Sequence, residues 1–150
     1  MKQQDYNSGF VANCTAHEAI DKISQVDKWW GADVEGSSKN LNDVFTIHFG
    51  DTFVTFKIME LLPQKKVVWY VTDSFIPSLA DKTEWSDTQV QFEVFAKDGA
   101  TELSVTHVGL VPDVECYDMC SKGWDFFIKE SLRKFIVEGK GEPNIPKLAR

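Results

Sequence analysis

The chain has 150 residues and a formal net charge of −7. That length suits one domain, residues 1–150, with a core of its own, and 43% hydrophobic content excludes a disordered chain. An acidic balance without any run of Lys or Arg argues against nucleic acid or an anionic membrane surface as a partner.

The opening MKQQDYNSG lacks the apolar core of a signal peptide, and no apolar run approaches a membrane span. Three cysteines, Cys14, Cys116 and Cys120, leave one odd, which argues against a disulfide framework. The expectation is a soluble cytoplasmic protein with reduced thiols.

In chain order, residues 6–14 read as a first strand, with Phe10, Ala12 and Cys14 on one parity. Thr15-Ala16-His17-Glu18 is a capping box, in which hydroxyl and carboxylate satisfy each other's backbone amides. The helix it opens turns Ala19, Ile20, Ile23 and Val26 inward. Asp27 is the expected cap of a second, single-turn helix ending in Trp29-Trp30, broken by Gly31.

From Val34 the period changes to two. Phe45, Ile47 and Phe49 alternate with Thr46 and a solvent-facing His48, and Gly50-Asp51 makes a hairpin turn. Strands follow over 52–62, closed by Pro63, and over 67–72. Residues 73–87 read as an irregular segment with an exposed-looking Trp85. Residues 88–96 alternate again, Lys97-Asp98-Gly99-Ala100 turns the chain back, and 101–110 form the last strand, with Leu103, Val105 and His107 on one face. Short turns between consecutive strands imply antiparallel neighbours.

The last third is organised differently. Cys116, Met119, Cys120, Gly123, Trp124, Phe127, Ile128, Leu132, Phe135 and Ile136 fall on one helical face. Asp118/Lys122, Asp125/Lys129 and Glu130/Lys134 stand as acid-before-base pairs on the other face. Asp113 is the expected cap, while Gly139, Gly141 and Pro143 stop the helix. Its length, about 37 Å, requires a broad sheet to lie on.

This order, together with Trp29-Trp30, Glu60-Leu61-Leu62-Pro63 before Val67-Val68-Trp69, residues 101–107 (TELSVTH), Gly123-Trp124 leading to Ser131-Leu132, and Glu138-Gly139, resembles a known family. It is similar to the activator-of-Hsp90-ATPase (AHSA1-like) branch of the START/Bet v 1-like (SRPBCC) superfamily. The resemblance implies an α+β helix-grip fold: a curved antiparallel sheet of about six to seven strands around a long C-terminal helix, with two short helices after strand 1. It also implies a cavity between sheet and helix. Family members include binders of small apolar molecules, cyclases and chaperone-associated domains, so the fold alone does not select an activity.

The residues expected to line that cavity are Trp30, Phe45, Ile47, Trp69, Phe75, Trp85, Phe92, His107, Met119, Trp124 and Phe127, with Ile76 and Leu79 helping to close one end. For the aromatic members the competing interpretation is plain core packing. His107 reads either as a satisfied core histidine or as a group that orients a polar ligand. Cys116 and Cys120, one turn apart on the apolar face, read as small core hydrophobes, not as a metal site. No nucleophile elbow or phosphate loop occurs.

The expected function is therefore a non-catalytic domain binding a small hydrophobic, lipid- or polyketide-like molecule, with no cofactor, as a monomer or homodimer. The alternatives are an interaction module for a chaperone ATPase, or a cyclase/hydrolase-type enzyme using His107 and a cavity carboxylate.

Overall fold

The computed structural model describes residues 5–142, apart from residues 32, 50, 63 and 78. Seven strands form one sheet: β1 (Tyr6–Ala12), β2 (Val34–Gly36), β3 (Val44–Phe49), β4 (Thr52–Leu62), β5 (Lys66–Phe75), β6 (Gln89–Lys97) and β7 (Ala100–Val108). The order across the sheet is β1-β7-β6-β5-β4-β3-β2, and every neighbouring pair is antiparallel. Two short helices, α1 (Ala16–Ile23) and α2 (Val26–Trp29), follow β1. The chain closes with α3 (Tyr117–Phe126), a π-helical segment (Phe127–Leu132) and α4 (Arg133–Glu138), which run on as one long helix. This is the helix-grip architecture.

Local chemistry accounts for the joints. Thr15 and Glu18 form the capping box, with the Glu18 amide donating to Thr15 Oγ1 (3.0 Å) and the Thr15 amide donating to Glu18 Oε1 (2.9 Å). Those bonds also hold the Glu18 carboxyl below its ordinary range. Lys97 pairs with Ala100 around Asp98 and Gly99, both at positive φ (47° and 84°), the two-residue turn whose twist suits a hairpin. Register shifts at Thr55/Phe56 and Ile58/Glu60 interrupt the β4–β5 ladder, and such bulges bend a sheet. The concave face so formed receives Trp29, Trp30, Phe45, Phe56, Trp69 and Phe92. Trp30 stacks on Trp69 with ring centres 6.1 Å apart, and Trp69 meets Phe92 at 4.5 Å.

Several boundaries differ from those expected. β1 ends at Ala12, and β5 runs to Phe75, taking residues 73–75 out of the irregular segment. α2 starts at Val26 behind Gln25, so Asp27 lies inside its first turn instead of capping it. The long helix starts at Tyr117, four residues after Asp113, and the two amides just before it, those of Glu115 and Cys116, are met by a carboxylate from another part of the chain. Gly139, left-handed at φ 81°, ends the helix as expected. Pro63 and Pro143 lie outside the described residues, as does Gly50, although Phe49 pairs with Thr52. Two of the expected surface ion pairs have other partners: Asp125 accepts from Tyr6 Oη at 2.6 Å, and Lys134 faces Glu142 at 3.8 Å.

The π-helical segment answers a feature of the sequence. Buried positions on the long helix repeat every four residues: Gly123, Phe127, Ser131 and Phe135 in one file, Trp124, Ile128 and Leu132 beside it. On a regular α-helix such a repeat drifts by about 40° per step, and the stripe would leave the sheet. The wider π turn takes up that drift and keeps both files on the core.

Candidate functional site

A cavity remains where the first half of the long helix crosses the sheet. Its walls are Met119, Cys120, Gly123, Trp124 and Phe127 from the helix, Phe49, Thr52 and Val54 from the β3–β4 hairpin, Trp30 at the end of α2, and Ile76 and Trp85 from the segment between β5 and β6. Among the described residues, no charged side chain lines it. About 50 Å3 is open to water-sized molecules, within about 500 Å3 of empty space that continues to the surface. An apolar cavity of roughly 150 Å3 accommodates benzene, so the interior as it stands suits a guest of only a few heavy atoms.

The segment 76–88 roofs this cavity and is tied to the helix by two acids. Glu84 accepts from the amides of Glu115 and Cys116, each at 3.0 Å, thereby serving the helix N-terminus from across the chain. Glu115 returns the contact, its carboxylate accepting from the Ala80 amide at 2.9 and 3.1 Å. Trp85, expected to be exposed, is only 8% exposed. Its ring stacks on Trp124 (5.9 Å between centres, 11° between planes) and meets the His107 ring edge-on at 4.6 Å. Trp85 Nε1 is buried and has no hydrogen-bond partner among the described residues.

Behind these two rings lies a polar chain. Trp124 Nε1 donates to His107 Nδ1 at 3.1 Å, so the ring proton belongs on Nε2, which donates to Thr88 Oγ1 at 2.8 Å. Thr88 in turn donates to the Trp85 carbonyl at 2.7 Å. His107 is fully buried, and burial lowers its pKa to about 3. Both nitrogens are engaged, and no carboxylate among the described residues bonds to the ring. Proton transfer to a substrate is therefore not a role this geometry gives it.

Cys116 and Cys120 are joined by a disulfide across one helical turn, with Cα atoms 5.4 Å apart. The expected pair of core thiols is corrected accordingly: residues four apart project on the same helical face, close enough to bridge. Cys14 keeps a free thiol, half-buried, whose pKa burial pushes up.

Of the residues expected to line or close a cavity, Trp30, Ile76, Trp85, Met119, Trp124 and Phe127 border this one. Phe45, Ile47 and Phe92 pack in the core beneath the Trp69 layer, with Phe45 and Phe92 centred 5.1 and 4.5 Å from Trp69. Phe75 stacks on Phe53 on the outward face of the sheet, because its partner in the β4–β5 ladder is outward-facing Phe53. Leu79 is buried but is not part of the wall. Phe49, Thr52, Val54, Cys120 and Gly123 complete the lining. Inward parity marked Phe49 and the helical stripe marked Cys120 and Gly123, whereas nothing in the sequence singled out Thr52 or Val54.

Trp69 borders a different hollow, a cleft of about 380 Å3 between α1, residues 38–40 and the paired ends of β4 and β5. Its floor is Ile20, Ile58, Leu61, Val67 and Trp69, and its rim carries His17, Asp21, Gln25 and Lys39. Several polar groups there are bonded to one another: Ser24 Oγ donates to the Asp21 carbonyl and Ser38 Oγ to the Ser24 carbonyl, both at 2.6 Å.

Neither a family model nor a curated protein matches the sequence. The fold does have solved counterparts. The chain is similar to the Aha1 dimer from Colwellia psychrerythraea, at 20% identity and TM-score 0.72, over 94% of this chain and 100% of that one. It also resembles DynU16, a protein of the dynemicin biosynthetic locus, at 15% identity and TM-score 0.67, over 93% of this chain and 49% of that one. CalU16 from Micromonospora echinospora matches at 11% identity and TM-score 0.64, over 99% of this chain and 92% of that one. At such identities the likeness is one of fold.

Proposed function

We propose that this domain binds a small, uncharged, apolar molecule in the cavity between the long helix and the β3–β4 hairpin, under the 76–88 roof. The observation that carries this is the wall itself, predominantly aromatic and aliphatic and, among the described residues, without a charged group. A guest larger than the present interior must displace the roof, which is clamped to the helix by Glu84 and Glu115 at its exposed rim. Catalysis is not part of the proposal, because His107 is locked between Trp124 and Thr88.

Filling the hollow tests the idea. Met119→Trp adds bulk to the wall, and the variant should lose at least tenfold in affinity for small cyclic ketones and olefins followed by tryptophan fluorescence. It should also gain about 0.5–2 kcal/mol in urea unfolding, as cavity-filling changes commonly do. Equal affinity in the two proteins would remove the cavity as the binding site.

A second function rests on the likeness to the Colwellia Aha1 dimer, whose whole chain is covered by this one. The domain would then act as an interaction module on a chaperone ATPase, as a monomer or a homodimer. Stimulation of an Hsp90-type ATPase by the purified protein is the expected result, and an unchanged rate at saturating protein excludes it.

A further inference from the structure

We infer that the guest of the cavity carries a hydrogen-bond acceptor, a neutral carbonyl or ether oxygen, which takes a bond from Trp85 Nε1. This rests on the binding role proposed above and adds the chemistry that selects the ligand. Trp85 is more than nine-tenths buried, borders the cavity, and has an indole N–H with no acceptor among the described residues. The contrast with its neighbour is instructive, since Trp124 Nε1 is spent on His107 Nδ1 at 3.1 Å. Native proteins pair nearly all buried donors, so an unpaired one on a residue of the cavity wall points to a partner that arrives from outside.

Charge restricts the partner further. Among the described residues no Asp, Glu, Lys, Arg or His lines the cavity, so a carboxylate or ammonium group entering it would lose its hydration without an opposite charge to replace it. An uncharged oxygen costs far less to desolvate and is satisfied by one indole donor. The rings fix the direction of that donor: Trp85 is held flat against Trp124, edge-on to His107, and by its own carbonyl, which accepts from Thr88. The ring is thus held in place, and a guest's oxygen reaches Nε1, which the structure seals from water-sized molecules, as the roof shifts to admit it.

The test compares cyclopentanone with methylenecyclopentane, which replaces the ketone oxygen by CH2 at nearly constant shape. Both are titrated against the wild-type chain and Trp85→Phe by tryptophan fluorescence. The ratio of ketone to olefin affinity should fall about fivefold to tenfold in Trp85→Phe, the usual worth of one net hydrogen bond. An unchanged ratio with both probes still bound overturns the acceptor role and leaves the binding role intact. If neither probe binds the wild-type chain, the binding role falls and takes this inference with it.

A second measurement avoids any folding defect in the variant. In the wild-type protein, the indole N–H resonance of Trp85 should move downfield with the ketone and stay in place with the olefin. A Trp85 resonance that responds equally to both overturns the inference.

Discussion

At the scale of single residues, His107 shows how position overrides type. The sequence placed it on the inward parity of β7 and left open whether it packs or acts. The structure surrounds it with Trp85, Thr88 and Trp124, none of them charged, and engages both ring nitrogens. A second ring proton would have to sit on Nδ1, facing the Trp124 donor, and burial opposes the charge as well. The pKa falls from the ordinary 6.5 to about 3. The direction of the pH effect follows. Above about pH 6.5 the ring is neutral whether the chain is folded or unfolded, and nothing is lost. Between 6.5 and 3 only the unfolded chain takes the proton, so stability should fall by ~1.4 kcal/mol per pH unit from this group alone. Urea unfolding of wild type and His107→Gln from pH 7 to 4 measures it, the difference between the two removing the part owed to carboxylates such as Glu18. Parallel curves would show that His107 does not titrate in this way.

At the scale of elements, most of the long helix was legible. The apolar positions read from the sequence are the ones that face the sheet, because a helical stripe is a local pattern that needs no knowledge of its partner. Ser131 was missed because it is polar. Its hydroxyl donates to the Trp29 carbonyl at 2.6 Å and accepts from the Glu142 amide at 2.7 Å, and only its place in the four-residue file hinted at burial. The late helix start was illegible for a different reason: it is marked by a distant group, the Glu84 carboxylate. Nothing in the sequence marked Glu84 or Glu115, yet together they fasten the roof of the cavity. Glu84→Gln keeps the shape and removes the charge that complements the helix N-terminus. Stability should drop by about 0.5–1 kcal/mol. Amide exchange at Glu115 and Cys116 should quicken several-fold. Unaltered exchange at those two amides would mean that Glu84 is a bystander and that something else holds the roof.

At the scale of the whole molecule, hairpins were readable because their two strands are neighbours in the chain, whereas the closure of β1 against β7 was not. Tyr6 pairs with His107 and Ala12 with Thr101, contacts spanning most of the sequence, and strand periodicity carries no information about such partners. Cavity size escaped for a related reason. It is the small remainder after Trp29, Trp30, Trp69 and Phe92 have filled most of the concave face, and a remainder cannot be read from any one residue. The closure has a physical signature at Gly9. A Cβ built there would stand 2.1 Å from the Leu103 carbonyl oxygen, a backbone atom that cannot swing aside. Replacing a strand glycine by alanine ordinarily stiffens the unfolded chain and stabilises by about 0.4–1 kcal/mol. Overpacking against fixed backbone costs about 1–3 kcal/mol or more, so the steric effect should win. Gly9→Ala is therefore expected to destabilise the fold by about 2 kcal/mol in urea, with exchange quickening first along β1 and the facing amides of β7. Equal or greater stability in that variant would mean that the first strand does not lie against β7 in this register, and the grip of sheet on helix would have to close some other way.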